Sequence, residues 1–411
     1  MVNPIYIIAI LLGLGFLLPS ISKAGNRITG TVFYAGLISV FAVSYQWFAH
    51  FALKGGETVQ IFTAGVKPPL SINFQIGFTE SVLLAAINFA AIAGAIYMTK
   101  PIFETGVRAM VLFMLLVMGL NGLVMTRDLF NIFVFLEITA ISTYSLGGMD
   151  RSVRSLSAGF KYMLAGGLAS VLLLLGIIIV YSLTGSLNID GIASSAGQVT
   201  NVKLLSAGLL LITVSFLVET KQFPVNGWAI DFYDGVKPGF TGLSAAIGTS
   251  AVFFALYKIM PVFSVSLLNM IAATGLITFF FSNLMGMKQT EPRRMLGYSS
   301  VAQMGLVAGA AAWSTGLGSD NKLFFLILLP LLLNHFFAKM ALFWITGLIK
   351  RHHVSEWGIL RENKGLHRIF VVMVIALIGL PPFPAFWAKW NLVMALSAHS
   401  KFFAVWIILA G

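Results

Sequence analysis

Cysteine is missing altogether from the 411 residues. That removes disulfides, thiolate metal sites and iron–sulfur ligation in one step. Charge is scarce as well: Asp, Glu, Lys and Arg together make up 10% of the chain, where a soluble domain carries about a quarter. Acidic side chains are the scarcer part, 14 against 26 Lys and Arg. The six histidines are scattered and make no ligand set. No nucleophile triad, phosphate loop or metal cluster can be traced, so neither a metal nor a cofactor is expected.

What fills the chain instead is apolar: 58% of the residues, with a mean hydropathy of +0.92. Apolar runs of about 20 residues recur from end to end, as a bilayer span requires. A soluble enzyme, a disordered tail and a nucleic-acid-binding module are excluded, and an all-α polytopic membrane protein is implied. The net charge of +12 then reads as basic loops that fix topology rather than as a nucleic-acid surface. Aromatic residues, at 13%, read as lipid-facing and core packing and give no support to a quinone site.

The runs lie near 4–20, 28–52, 77–99, 106–126, 128–148, 158–183, 203–222, 240–258, 263–286, 296–315, 323–349 and 367–398. A thirteenth starts near 402 and is too short, at about ten residues, to cross a bilayer core. No basic residue precedes the first run, whose first lysine is Lys23, so it reads as a retained span rather than a signal peptide. Loops after odd-numbered runs carry sixteen Lys and Arg, among them Lys100, Arg151, Arg293 and Arg361. Loops after even-numbered runs carry six: Lys54, Lys67, Arg127, Lys203, Lys322 and Lys401. This asymmetry supports the count and predicts an outer N-terminus in the cell membrane, with the odd loops cytoplasmic.

Two apolar segments are broken alike, at Gln222-Phe-Pro224 and at Leu380-Pro-Pro382-Phe-Pro384. Proline removes a backbone donor and clashes with the preceding turn, so each predicts a discontinuous helix. Irregular backbone at membrane depth survives only against protein or a wet cavity. Two such helices, five spans apart, suggest an internal repeat.

Ionisable groups inside a span cost about 2.5–3.5 kcal/mol each on insertion scales, so they are read as functional. Glu137 lies nine residues beyond Asp128, roughly 13 Å deep at 1.5 Å per residue. His335 and Lys339 are i and i+4 on one face, and Pro330, about a turn before, loosens the helix there. Lys389 follows the second break, and Glu219 and Lys221 precede the first. Those two are about 200° apart on a regular helix and share an axis only through distortion. Lys258 reads as an interfacial anchor, while Asp231, Asp234 and Glu80 are weaker candidates near span ends. Burial disfavours the charged form of Lys and Glu, and histidine titrates near neutrality, so such a row suits proton relay.

The stretch Arg127-Asp-Leu-Phe-Asn-Ile-Phe-Val-Phe-Leu-Glu137 resembles the fifth-span signature of the antiporter-like membrane subunits. That family is shared by respiratory complex I, membrane-bound hydrogenase-type complexes and Mrp cation/proton antiporters. Gln222-Phe-Pro224 to Trp228 with Asp231, Arg294 to Gly305, Asn334-His335 to Lys339 and Gly379 to Lys389 match in order. The resemblance implies N-terminal helices over 1–105 and two inverted five-helix repeats, 106–260 and 263–411, the last helix incomplete. It also implies a hydrophilic axis in which Glu137 is the first half's carboxylate, His335 and Lys339 the central relay, and Lys389 the terminal lysine.

Two positions depart from the pattern. The family's lysine, five residues before the first proline, is here Glu219, and Lys221 is displaced by two. No Lys, His, Asp or Glu stands between Leu243 and Tyr257, where the family places a lysine or histidine near Gly248. Either Lys221 reaches the axis through local distortion, or this half carries no protons. The resemblance implies a proton-translocating, or Na+/H+ antiporter-like, subunit working mainly through its second half. The alternative is a structural or coupling subunit that has lost its own route. Partners would be other membrane subunits, related antiporter-like ones included, with the driving chemistry in those subunits.

Overall fold

The computed structural model describes residues 1–63, 65–69, 71–318, 323–398 and 401–410. Lys322, which bounds one of the expected runs, lies outside the described residues, as does Gly411. The chain is an all-α polytopic membrane protein, with one short hairpin among the described residues. Contacts divide it into two compact units, Met1–Phe216 with Phe254–Val262, and Leu217–Phe253 with Phe263–Gly411.

The first unit opens with α1 (Tyr6–Ile21) and α2 (Asn26–Lys54), then the antiparallel pair β1 (Val59–Phe62) and β2 (Asn73–Ile76). Helices α3 (Phe78–Tyr97), α4 (Thr99–Thr105), α5 (Val107–Met125), α6 (Leu129–Gly147), α7 (Val153–Thr184), α8 (Ile189–Ser195) and most of α9 (Val202–Glu219) follow. Helix α5 packs on α1, α3 and α6. A reciprocal amide pair, Asn88 with Asn121 at 2.9 and 3.0 Å, ties α3 to α5 in a fully buried setting. In hydrocarbon such a pair satisfies both amides at once. Between α5 and α6, Asp128 caps the new helix by accepting from the Asn131 N–H at 2.8 Å. The Arg127 N–H bonds the Asn73 carbonyl at 2.9 Å, and the Arg127 guanidinium pairs with Asp190.

The second unit begins with the end of α9 and continues through α10 (Gly227–Gly235) and α11 (Pro238–Leu243). A π turn, Ser244–Gly248, then joins α11 to α12 (Thr249–Ile259), which counts with the first unit from Phe254 onward. Next come α13 (Val265–Met287) and α14 (Pro292–Gly316). A second π turn, Phe324–Leu328, leads into α15 (Leu329–Ile349), whose second residue is Pro330. After a 3-10 stretch, Val354–Glu362, the chain ends in α16 (Lys364–Ile378), α17 (Pro384–Ser397) and α18 (Lys401–Ala410). Helices α13 and α14 meet backbone to backbone: a Cβ on Gly275 would lie 2.6 Å from the Gly305 carbonyl oxygen. Small residues permit that approach, the usual basis of close packing in membranes.

Ten helices among the described residues are long and apolar enough to cross a membrane alone. The two remaining runs expected from sequence correspond to α14, which carries Arg293, Arg294 and Gln303, and to the broken pair α16–α17 of 15 and 14 residues. Helix α18, at 10 residues, is the short thirteenth.

Candidate functional site

Both predicted breaks are present, and both begin with the same backbone device. At the first, the Gln222 N–H reaches back to the Leu217 carbonyl at 2.8 Å and the Lys221 N–H to Val218 at 3.0 Å. At the second, the Leu380 N–H bonds Ile375 at 3.3 Å and the Gly379 N–H bonds Ala376 at 3.2 Å. Each pair is a Schellman closure, which needs a left-handed residue after the helix. Gly379 fills that place at φ 83°, and Lys221 fills the other at φ 63°. A cis peptide follows in each, Phe223–Pro224 and Pro381–Pro382.

The left-handed turn takes Lys221 off the helical wheel, and with it the 200° separation from Glu219 that a regular helix would impose. Glu219 and Lys221 are both buried. The Lys221 ammonium donates to Thr249 Oγ1 at 2.5 Å and lies 5.3 Å from the Tyr233 ring centroid and 5.9 Å from that of Trp228. Both rings lie within cation–π distance of the side chain. The lysine displaced by two residues is therefore held inside the protein.

His335 and Lys339 are fully buried one turn apart on α15. His335 Nε2 lies 3.1 Å from the Ala245 carbonyl and 3.4 Å from Ser300 Oγ. A carbonyl only accepts, so this geometry assigns the proton of the neutral ring to Nε2. Lys339 Nζ donates to the Leu296 carbonyl at 3.2 Å. Leu296 and Ser300 are themselves one turn apart on α14, so one helix face serves both groups. Asn334 donates to the Ala376 carbonyl at 2.9 Å and ties α15 to the second break. Half-buried Lys389 bonds within its own break, its Nζ donating to the Ile378 carbonyl at 3.1 Å. An ammonium there also offsets the negative end of α16.

Glu137 is half-buried on α6, in the first unit. The weaker candidates resolve into structural contacts. Asp231 and Asp234 pair with Arg294 at 3.2 and 3.7 Å, pinning α10 to α14. Glu80 caps its helix by accepting from the Gly77 N–H at 2.9 Å. Lys258 differs most from its expected role as an interfacial anchor. It is buried, and its Nζ donates to the carbonyls of Leu123 at 2.8 Å, Val124 at 3.0 Å and Thr126 at 2.5 Å. Those are the orphan acceptors at the end of α5, so the side chain is a helix cap. Sequence reasoning also missed Thr249, Ser300 and the π turn. The signals for the two hydroxyls were adjacent pairs inside apolar runs, Thr249-Ser250 and Ser299-Ser300.

The family described as NADH:quinone oxidoreductase/Mrp antiporter, TM, matches residues 126–411. The chain belongs to that family. Among its relatives, NADH-quinone oxidoreductase subunit N of Desulforudis audaxviator is 31% identical over 363 residues, covering 83% of this chain and 70% of the relative. A Na(+)/H(+) antiporter subunit of Alkalihalophilus pseudofirmus is 27% identical over 307 residues, or 72% and 60%. A chain of the archaeal membrane-bound sulfane sulfur reductase superposes with a TM-score of 0.89 at 26% identity, covering 99% of this chain and 84% of that one. The family resemblance read from Arg127–Glu137 and the later stretches is thus borne out.

Proposed function

We propose that the chain is a proton-translocating subunit of a multisubunit membrane energy-converting complex. Its partners are other membrane subunits, and the driving reaction takes place in them. Protons pass along Lys221, His335, Lys339 and Lys389, with Glu137 as the carboxylate of the first half and Glu219 beside the first break. Two inverted five-helix repeats, 106–260 and 263–411, frame this route, and the N-terminus faces outward on the bias of basic residues among the loops.

The observation that carries the reading is the pair His335 and Lys339. Two fully buried basic groups, one turn apart, hydrogen-bond to neutral oxygens of Ala245, Ser300 and Leu296. A carboxylate partner would pin the charge in place. A carbonyl or hydroxyl positions the group and lets it change protonation state, which a relay requires. Sodium in exchange for protons is a second reading, favoured by the likeness to an antiporter subunit. A coupling subunit without its own route is favoured by the loss of the family's lysine at Glu219.

The test is proton uptake by the intact complex in liposomes, driven by its own reaction, with Lys339→Ala or Lys389→Ala. At least a ten-fold loss of pumping per turnover is expected, with the complex still assembled. Undiminished pumping in both variants would overturn the relay and favour the coupling reading.

A further inference from the structure

The span that follows the first break lacks the ionisable side chain expected near Gly248. In its place stands the π turn Ser244–Gly248. Single π turns inside α-helices are rare and concentrate at functional sites, because they shift the hydrogen-bond ladder by one residue. The shift is visible in two adjacent hydroxyls. Ser250 Oγ donates to the carbonyl four residues back, Ala246, at 2.7 Å, as in any helix. Thr249 Oγ1 donates to the carbonyl five residues back, Ser244, at 3.1 Å.

That carbonyl can only accept, so the threonine hydroxyl spends its proton there and turns its lone pairs outward. The Lys221 ammonium donates into them at 2.5 Å. The next carbonyl of the same turn, Ala245, accepts from His335 Nε2 at 3.1 Å. Adjacent carbonyls of one π turn therefore anchor the lysine of the first break, through Thr249, and the histidine of the central relay, directly.

We infer that Thr249 is a positioning residue that stands in for the missing ionisable group: its hydroxyl docks the Lys221 ammonium on the π turn that also holds His335. The inference rests on the proton-translocating reading above. Thr249 carries no charge and stores no proton. It fixes where the Lys221 charge sits, so that a change in the protonation of Lys221 is felt by His335 over a short path of low dielectric. The displaced lysine and the missing ionisable group thereby become one compensated change rather than two losses.

The test uses the assembled complex in liposomes and reads protons moved per turnover of its driving reaction. Thr249→Val keeps shape and removes the hydroxyl, and is expected to lower pumping to the level of Lys221→Ala. Thr249→Ser keeps the hydroxyl and is expected to retain at least half of wild-type pumping. The double variant of Lys221→Ala and Thr249→Val is expected to be no worse than either single one, as for two members of one contact. Where the valine variant does not assemble, Thr249→Ala takes its place in the same comparison.

Wild-type pumping by Thr249→Val, or a serine variant no better than the valine one, overturns the inference. So does a double variant in which the two losses multiply. A defective Lys221→Ala beside a normal Thr249→Val removes the role of Thr249 and leaves the relay standing. Full pumping by Lys221→Ala takes Lys221 out of the path, and Thr249 with it.

Discussion

The two broken helices share one closure and use their lysines in opposite ways. At the second break a glycine, Gly379, takes the left-handed position, and the lysine comes ten residues later. Lys389 then reaches back to the Ile378 carbonyl, beside the end of its own first half-helix. At the first break the lysine itself takes the left-handed position, and its ammonium reaches forward to Thr249. Placing a non-glycine residue there costs roughly 1–2 kcal/mol. The first break accepts that cost and gains a short, fixed path from the backbone turn to the next span. A two-residue displacement in sequence is thus absorbed by the conformation of one residue.

The sharpest way to break this comparison is at Lys221. Lys221→Ala and Lys221→Gly both remove the ammonium, and both are expected to lower proton pumping by the intact complex to a common, strongly reduced level. Their stabilities should differ. Glycine adopts positive φ freely, so Lys221→Gly should be the more stable of the two by about 1 kcal/mol, read as a higher Tm of the purified complex. Equal stability would mean that the left-handed turn is not strained by its side chain. Equal pumping by wild type and either variant would mean that the two breaks are not alike in function.

At the second break the expected effect is on stability first. Gly379→Ala places a Cβ on a residue with φ 83°, which costs roughly 1–2 kcal/mol. The new methyl would also lie 3.4 Å from Lys389 Cδ, at the near limit of van der Waals contact. Thermal unfolding should therefore show a lower Tm, and pumping should fall modestly as Lys389 shifts from the Ile378 carbonyl. A variant as stable as wild type would show that the closure tolerates any residue, and that Lys221 tells nothing special about the first break.

Much of the membrane architecture was legible because it follows from strong, local terms. Apolar runs mark spans, and proline in such a run marks a break, whatever the neighbours are. Gly379 before Pro381 even announces its left-handed turn, since glycine is the usual residue there. Lys221 announces nothing of the kind: on propensity alone it continues a helix, and only the packed structure turns it. The π turn was hidden for the same reason, having no residue signature in Ser244–Gly248. The capping role of Lys258 was out of reach because its acceptors, Leu123, Val124 and Thr126, come from a stretch more than 130 residues earlier in the chain. Depth along one's own helix predicts insertion cost, but it does not say which other helix end lies beside the side chain.

The smallest expected effect lies at Gly248, and it separates the π turn's geometry from its side chains. Apart from its chain neighbours and its own helix backbone, a Cβ added at Gly248 meets nothing closer than Ser244 Oγ, at 3.9 Å, so Gly248→Ala fits without displacement. Alanine in place of glycine within a helix gains at most about 1 kcal/mol, and the Tm should hold or rise slightly. Pumping should stay at the wild-type level, because the groups that meet on this turn do so through the Thr249 hydroxyl and the Ala245 carbonyl, not through position 248. A large loss of pumping with unchanged Tm would mean that the open space beside Gly248 is itself part of the proton path. The first half would then differ from the second in using a gap where the other uses a lysine.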